Sequence, residues 1–247
     1  MADVIEIAIF TNDHVQVSTN YYRTPAEYIT GMAKSATKDT ARTMYVDMLN
    51  YFTAAQNRFG YRTDDLANAE IDALQIYATN YDNVEEVDHK QHSSKLAGVS
   101  LELNDAIILK FIYKNDVLAD AEKAVVTFTD AKGKEQIYEI TEFKYYNTKY
   151  STANVTKAAI ADGACAMKIE LIGTDGTVLD TSYDSIASYA FRNVDDTTAQ
   201  GILSKELIKL INSSDAHFNP WFEWSEYPNI FWILYTEKNL YIECKSD

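Results

Sequence analysis

The sequence predicts an α+β protein: an antiparallel β-sandwich of Ig-like type, flanked by amphipathic helices, with a hairpin near each end of the chain. Three observations carry that expectation. Between Leu96 and Tyr183, apolar residues recur at every second position in six or seven short runs set apart by turn residues. Around 40–59 and 198–218 the spacing changes to every third or fourth residue, the period of a helix with one buried face. The composition, 47% hydrophobic and 13% aromatic with only 3 prolines, supplies enough apolar material for a sizeable core and argues against a disordered chain.

Taken in order, "VIEIAIF" alternates through Ile5, Ile7 and Ile9, Thr11 to His14 make a polar turn, and Val15 and Val17 alternate again as a return strand. Thr24 is placed to cap a helix whose first position is Pro25. A longer helix runs from Thr40 to Phe59, with Met44, Met48, Phe52, Ala55 and Phe59 as its apolar stripe, Tyr45, Leu49 and Tyr51 widening it, and Gly60 ending it. Residues 61–95 are polar, with a short helix at "NAEIDALQIYAT". The strands follow as "GVSLELN", "AIILKFIYK", "KAVVTFTD", "EQIYEITEF", "CAMKIELIG" and "TVLDTSY", with turns at "AKGK" and "TDGT". A second long helix, Thr198 to Phe218, precedes a final hairpin, "NIFWILY-TEKN-LYIECKSD".

The chain contains an internal repeat. "IEIAIFTNDHVQVS" is similar to "IELIGTDGTVLDTS", and each leads to Ser-x-x-x-Tyr (Ser18 to Tyr22, Ser185 to Tyr189), then an arginine (Arg23, Arg192), then an amphipathic helix ending in Phe. Aligning Phe59 with Phe218 pairs Met44 with Leu203, Met48 with Leu207, Leu49 with Ile208 and Phe52 with Ile211 without a gap. A period of about 160 residues means a repeated domain rather than a solenoid. The expected organisation is a partial module at 1–60, a complete module at 61–219 and an aromatic C-terminal hairpin at 220–247. The stretch "DMLNYFTAAQNRFGYRTDDLANA" is then a joint, with Gln56 as the polar edge of the helix stripe and Asp215 as its counterpart.

That stretch, together with "DGTVLDTSYDSIASYAFR", resembles a module repeated in large uncharacterised surface or secreted proteins of anaerobic Gram-positive gut bacteria. In that module the helix reads Leu-x-Tyr-Gly-Ala-Ala-Ala-Gln before an aromatic, Gly-Tyr and Asp-x-Leu, and the strand end reads Asp-Ser-Ile-x-Ser-Tyr-Ala. The likeness spans about residues 15–218, with Phe52 standing where the module has glycine. The resemblance implies an extracellular or cell-surface setting and a non-catalytic role; it names no ligand.

Charge narrows the partners. Lys and Arg total 22 against 37 Asp and Glu, a net charge of −15, and there is no basic run, so nucleic acid and anionic membranes are repelled. No run approaches the roughly 20 apolar residues of a membrane span, and "MADVIEIAIF" lacks the features of a secretory signal. Two cysteines, Cys165 and Cys244, make no disulfide framework, and sequence leaves their pairing open.

Candidate sites are few. His89 and His92 in "DHKQHSS" are three apart, near Glu86 and Asp88, but without a cysteine they read as a solvated loop rather than a metal site. No nucleophile motif, phosphate loop or calcium-loop spacing is present, so the sequence assigns no catalytic, cofactor or metal residue. Ser18 and Ser185 read as helix caps. The aromatic residues Trp221, Trp224, Tyr227 and Trp232 form the one cluster suited to a partner protein or a sugar, and Tyr145, Tyr146 and Tyr150 form a weaker one. The expected function is a non-catalytic structural or binding module that contacts other subunits or neighbouring modules. Two alternatives are a carbohydrate-binding module taking polysaccharide and a phage virion protein carrying a host-derived module.

Overall fold

The computed structural model describes residues 5–10, 16, 21–103, 107–218 and 241–245. The chain is α+β, with two four-stranded antiparallel sheets, a three-stranded sheet and several helices. Its contacts define two compact units, Met1–Ala78 with Pro220–Asp247, and Thr79–Asn219.

In the first unit, β1 (Ile5–Phe10) lies between β2 (Tyr21–Arg23) and the C-terminal strand β11 (Tyr241–Lys245), both antiparallel to it. Of the expected return strand Val15–Val17 only Gln16 is among the described residues; the neighbours described for β1 are β2 and β11, with Ile7 opposite Tyr21 on one side and Cys244 on the other. A strand with two open edges gains ladder bonds on both sides this way. The turn Thr11 to His14 and the first strand of the expected tail hairpin, 229–235, lie outside the described residues.

Helix α1 (Pro25–Ser35) starts as the sequence predicts. The Thr24 hydroxyl accepts from the Glu27 backbone N–H (3.1 Å), and the Glu27 carboxylate accepts from the Thr24 N–H (2.7 Å), satisfying two orphan donors reciprocally. Helix α2 (Asp39–Phe59) stops at Gly60, whose φ of 65° is a left-handed conformation that glycine adopts at little cost. Its buried arc is rotated from the expected stripe. Met44 and Leu49 are buried, Met48 and Phe52 are half-buried, and Phe59 is 56% exposed, while Val46 is completely covered. The cause is the segment after the helix, which returns along α2 and ends in a short 3-10 helix, Asp72–Tyr77, where the sequence suggested a helix. Ala33, Val46, Leu49, Ala67 and Ile71 form the resulting core.

The second unit holds both four-stranded sheets. One has the order β3 (Leu96–Leu103), β4 (Ile107–Lys114), β8 (Tyr150–Val155), β7 (Lys144–Asn147). The other runs β10 (Val178–Asp184), β9 (Met167–Gly173), β5 (Ala121–Thr129), β6 (Glu135–Ile140). A single helical turn, α3 (Asn115–Leu118), links β4 to β5. Alternation decides which face is covered: Leu109, Phe111 and Tyr113 on β4, Ala124, Val126 and Phe128 on β5, and Met167, Ile169 and Leu171 on β9 are all buried. Each large apolar side chain so placed contributes about 1.5–3 kcal/mol relative to exposure.

After β10 come α4 (Ile186–Phe191) and α5 (Ala199–Phe218). Leu203, Leu207, Ile208 and Ile211 of α5 are buried, the positions that the repeat aligns with Met44, Met48, Leu49 and Phe52. Gly201 is fixed by contact rather than by φ: a Cβ there would sit 1.8 Å from the Asp196 carbonyl oxygen.

Candidate functional site

The densest polar constellation in the second unit forms where residues 88–93 lie along β10 and the start of α4. Gln91 and Tyr183 exchange both backbone hydrogen bonds (3.1 and 2.8 Å), so this strap extends the open edge of β10 by one antiparallel bridge. The Ser93 N–H donates to the Ser182 hydroxyl (3.1 Å), and the His89 N–H to the Ser188 hydroxyl (3.1 Å). "DHKQHSS" is therefore pinned to β10 rather than a free loop, although Asp88, Lys90, Gln91 and Ser94 remain exposed. His89 and His92 are half-buried, the first beside Ser185 and the second against Asp184.

Asp184 sits at the centre, at the last position of β10 and completely buried. Its Oδ2 accepts from the Arg192 guanidinium (2.6 Å) and lies 2.8 Å from His92 Nε2. Its Oδ1 accepts from the other Arg192 nitrogen (3.2 Å) and from the Ser185 backbone N–H (2.8 Å). Two polar groups thus reach each oxygen, so the buried carboxylate is fully provided with hydrogen-bond partners. Local helix geometry supplies the arginine. Ser185 caps α4 by accepting from the Ser188 N–H (3.0 Å), and one further turn brings Arg192 back beside Ser188, whose hydroxyl accepts from it at 2.7 Å.

The outer members complete the network. Ser188 Oγ lies 3.3 Å from Asp88 Oδ1, and His89 Nδ1 lies 3.3 Å from Ser185 Oγ. The Lys90 backbone N–H holds the Asp88 carboxyl below the usual carboxylate range, with the Ser188 hydroxyl and the Arg192 charge acting in the same direction. The Ser185–His89 approach pairs a hydroxyl with an imidazole, but Ser185 is completely buried and its oxygen already serves the α4 cap. Chemically the arrangement clamps a strap to a strand.

A second constellation runs along α2 in the first unit. Gln56 is buried, and its amide serves the turn that follows the helix: Nε2 donates to the carbonyls of Arg62 (3.1 Å) and Asp65 (2.8 Å), and Oε1 accepts from the Ala67 N–H (2.8 Å). One turn earlier Thr53 Oγ1 accepts from the Asn68 N–H (3.0 Å). Another turn back, Asn50 and Gln75 pair their amides both ways (3.0 and 2.9 Å), and the Asn68 side chain donates to Asn50 (2.9 Å). Residues 50, 53 and 56 share one helical face, so a polar ladder fastens residues 62–75 to α2. Gln56 is the lowest rung of that ladder rather than the edge of a stripe. Beside it is a polar cleft of about 120 Å³ lined by Thr24, Glu27, Asp65 and Glu70, well under the roughly 300 Å³ at which small-molecule sites begin.

Of the residues singled out from sequence, Trp221, Trp224, Tyr227 and Trp232 lie outside the described residues, as does Ser18. Tyr145 and Tyr146 are exposed on β7, at 74% and 48%. Cys165 is a free, half-buried thiol pushed up to about 11 by burial and by the charges of Asp162, Asp215 and Asp130, which makes it a poor nucleophile. Among the described residues no group of three His, Cys, Asp or Glu side chains is arranged to hold a metal ion, and no helix is long and apolar enough to cross a membrane. Sequence reasoning missed the Asp184 network and the α2 ladder. The signals present were the Asp184-Ser185-x-x-Ser188 run with Arg192 one turn on, and the three-residue spacing of Asn50, Thr53 and Gln56. Comparisons with protein-family models, with curated proteins and with solved structures find no match.

Proposed function

We propose that the chain is a non-catalytic structural or binding module, whose polar clusters hold connecting segments in place and whose partners are neighbouring modules or subunits on a cell or particle surface. The observation that carries this reading is the Asp184 network. Its carboxylate is completely buried, two polar groups reach each oxygen, and the residues it gathers fasten the strap 88–93 to β10. A site built for turnover keeps acid, base or nucleophile within reach of a ligand, whereas these groups face each other. The α2 ladder has the same character, with Gln56 directed to backbone groups of its own chain.

In this reading the two sheets of the second unit face each other as an Ig-like sandwich. Tyr113 supports it: completely buried on β4, its hydroxyl pKa is pushed up by burial and then by the Asp180 charge, and Asp180 belongs to β10 of the other sheet. Two of the four aligned pairs, Met44 with Leu203 and Leu49 with Ile208, are buried on both α2 and α5, which supports a repeated module. Extracellular placement rests on the resemblance described above.

Light scattering on the purified full chain, with sedimentation alongside insoluble polysaccharide, tests the partner class. Association beyond the monomer mass of 28.0 kDa is the expected result. A monomer that co-sediments with polysaccharide, and no longer does so after Tyr145→Ala, would move the reading to carbohydrate binding.

A further inference from the structure

We draw no further inference here: the strongest candidate, the exposed patch that Tyr145 and Tyr146 form on edge strand β7, is an unpartnered sheet face, and nothing in the structure shows what covers it.

Discussion

Arg192 grips Asp184 with both arms of its guanidinium, at 2.6 Å to Oδ2 and 3.2 Å to Oδ1, across the length of the short helix α4. The pair ties the C-terminal end of α4 back to the end of β10, and His92 then ties the strap to the same carboxylate at 2.8 Å. His92→Ala removes the tie and leaves the Arg192 pair intact. The backbone bridge between Gln91 and Tyr183 should then open more often, seen as faster amide exchange at Gln91 with little change at the buried strand β9. Unchanged exchange at Gln91 would mean that the backbone bonds alone hold the strap.

Gln56 invites a comparison of two substitutions. Gln56→Ala leaves the buried Ala67 N–H without its acceptor and removes the bonds to the Arg62 and Asp65 carbonyls, the first of which keeps the Asp65 N–H, a loss of about 1–3 kcal/mol. Gln56→Glu keeps an acceptor for Ala67 but brings a negative charge against the Arg62 and Asp65 carbonyls, so it should be the worse of the two near neutral pH. Urea titration ranks them, and a Glu variant as stable as wild type would show the turn to be held by other contacts.

Gly201→Ala tests a steric argument with an unusual sign. In an open helix the change stabilises by roughly 1 kcal/mol. Here the new Cβ would meet the Asp196 carbonyl oxygen at 1.8 Å, and that atom is backbone, so the start of α5 must shift. A lower Tm is expected; a higher one would place the Asp196 carbonyl elsewhere.

Asp215 gives a pH prediction. Burial first, and then the Asp162 charge, raise its pKa above the usual Asp value, so the ionised form is disfavoured in the folded protein. The cost is fully present above the folded pKa and disappears below the unfolded one, about 3.9. Asp215→Asn should therefore raise Tm at neutral pH, with the gain fading as the pH falls through the raised folded pKa and gone below about 4. A gain that persisted in acid would point to a packing effect instead of charge.

Much of the fold was legible because burial follows period. The runs around Phe111, Val126 and Ile169 alternate on covered faces, and the caps at Thr24, Gly60 and Ser185 are local chemistry that sequence states directly. Strand β8 was not legible: "YSTANV" carries few large apolar residues, and only its central place between β4 and β7 buries Thr152, Ala153 and Val155. The rotated arc of α2 was hidden for a related reason, since Val46 is covered by a segment that polar bonds, not apolar spacing, bring back to the helix. The candidate site was missed because its members come from two distant stretches, 88–93 and 182–192, that meet only once β10 has an open edge to offer.

The proposed role of the Asp184 network, a fastening rather than a reactive centre, makes its sharpest prediction for the Tm of Asp184→Asn. Residues kept for chemistry or ligand binding are held at a cost to stability, so replacing them tends to leave Tm unchanged or raise it. Asp184→Asn instead removes the charge that Arg192 and His92 share, and although the partly exposed Arg192 keeps its bond to the Ser188 hydroxyl, the loss is about 2 kcal/mol, which for a chain of this size is a fall of roughly 4 to 8 °C. A fastening predicts that fall, with faster amide exchange across 89–93. An Asp184→Asn protein that melts at or above the wild-type temperature would contradict it and mark Asp184 as a residue retained for function.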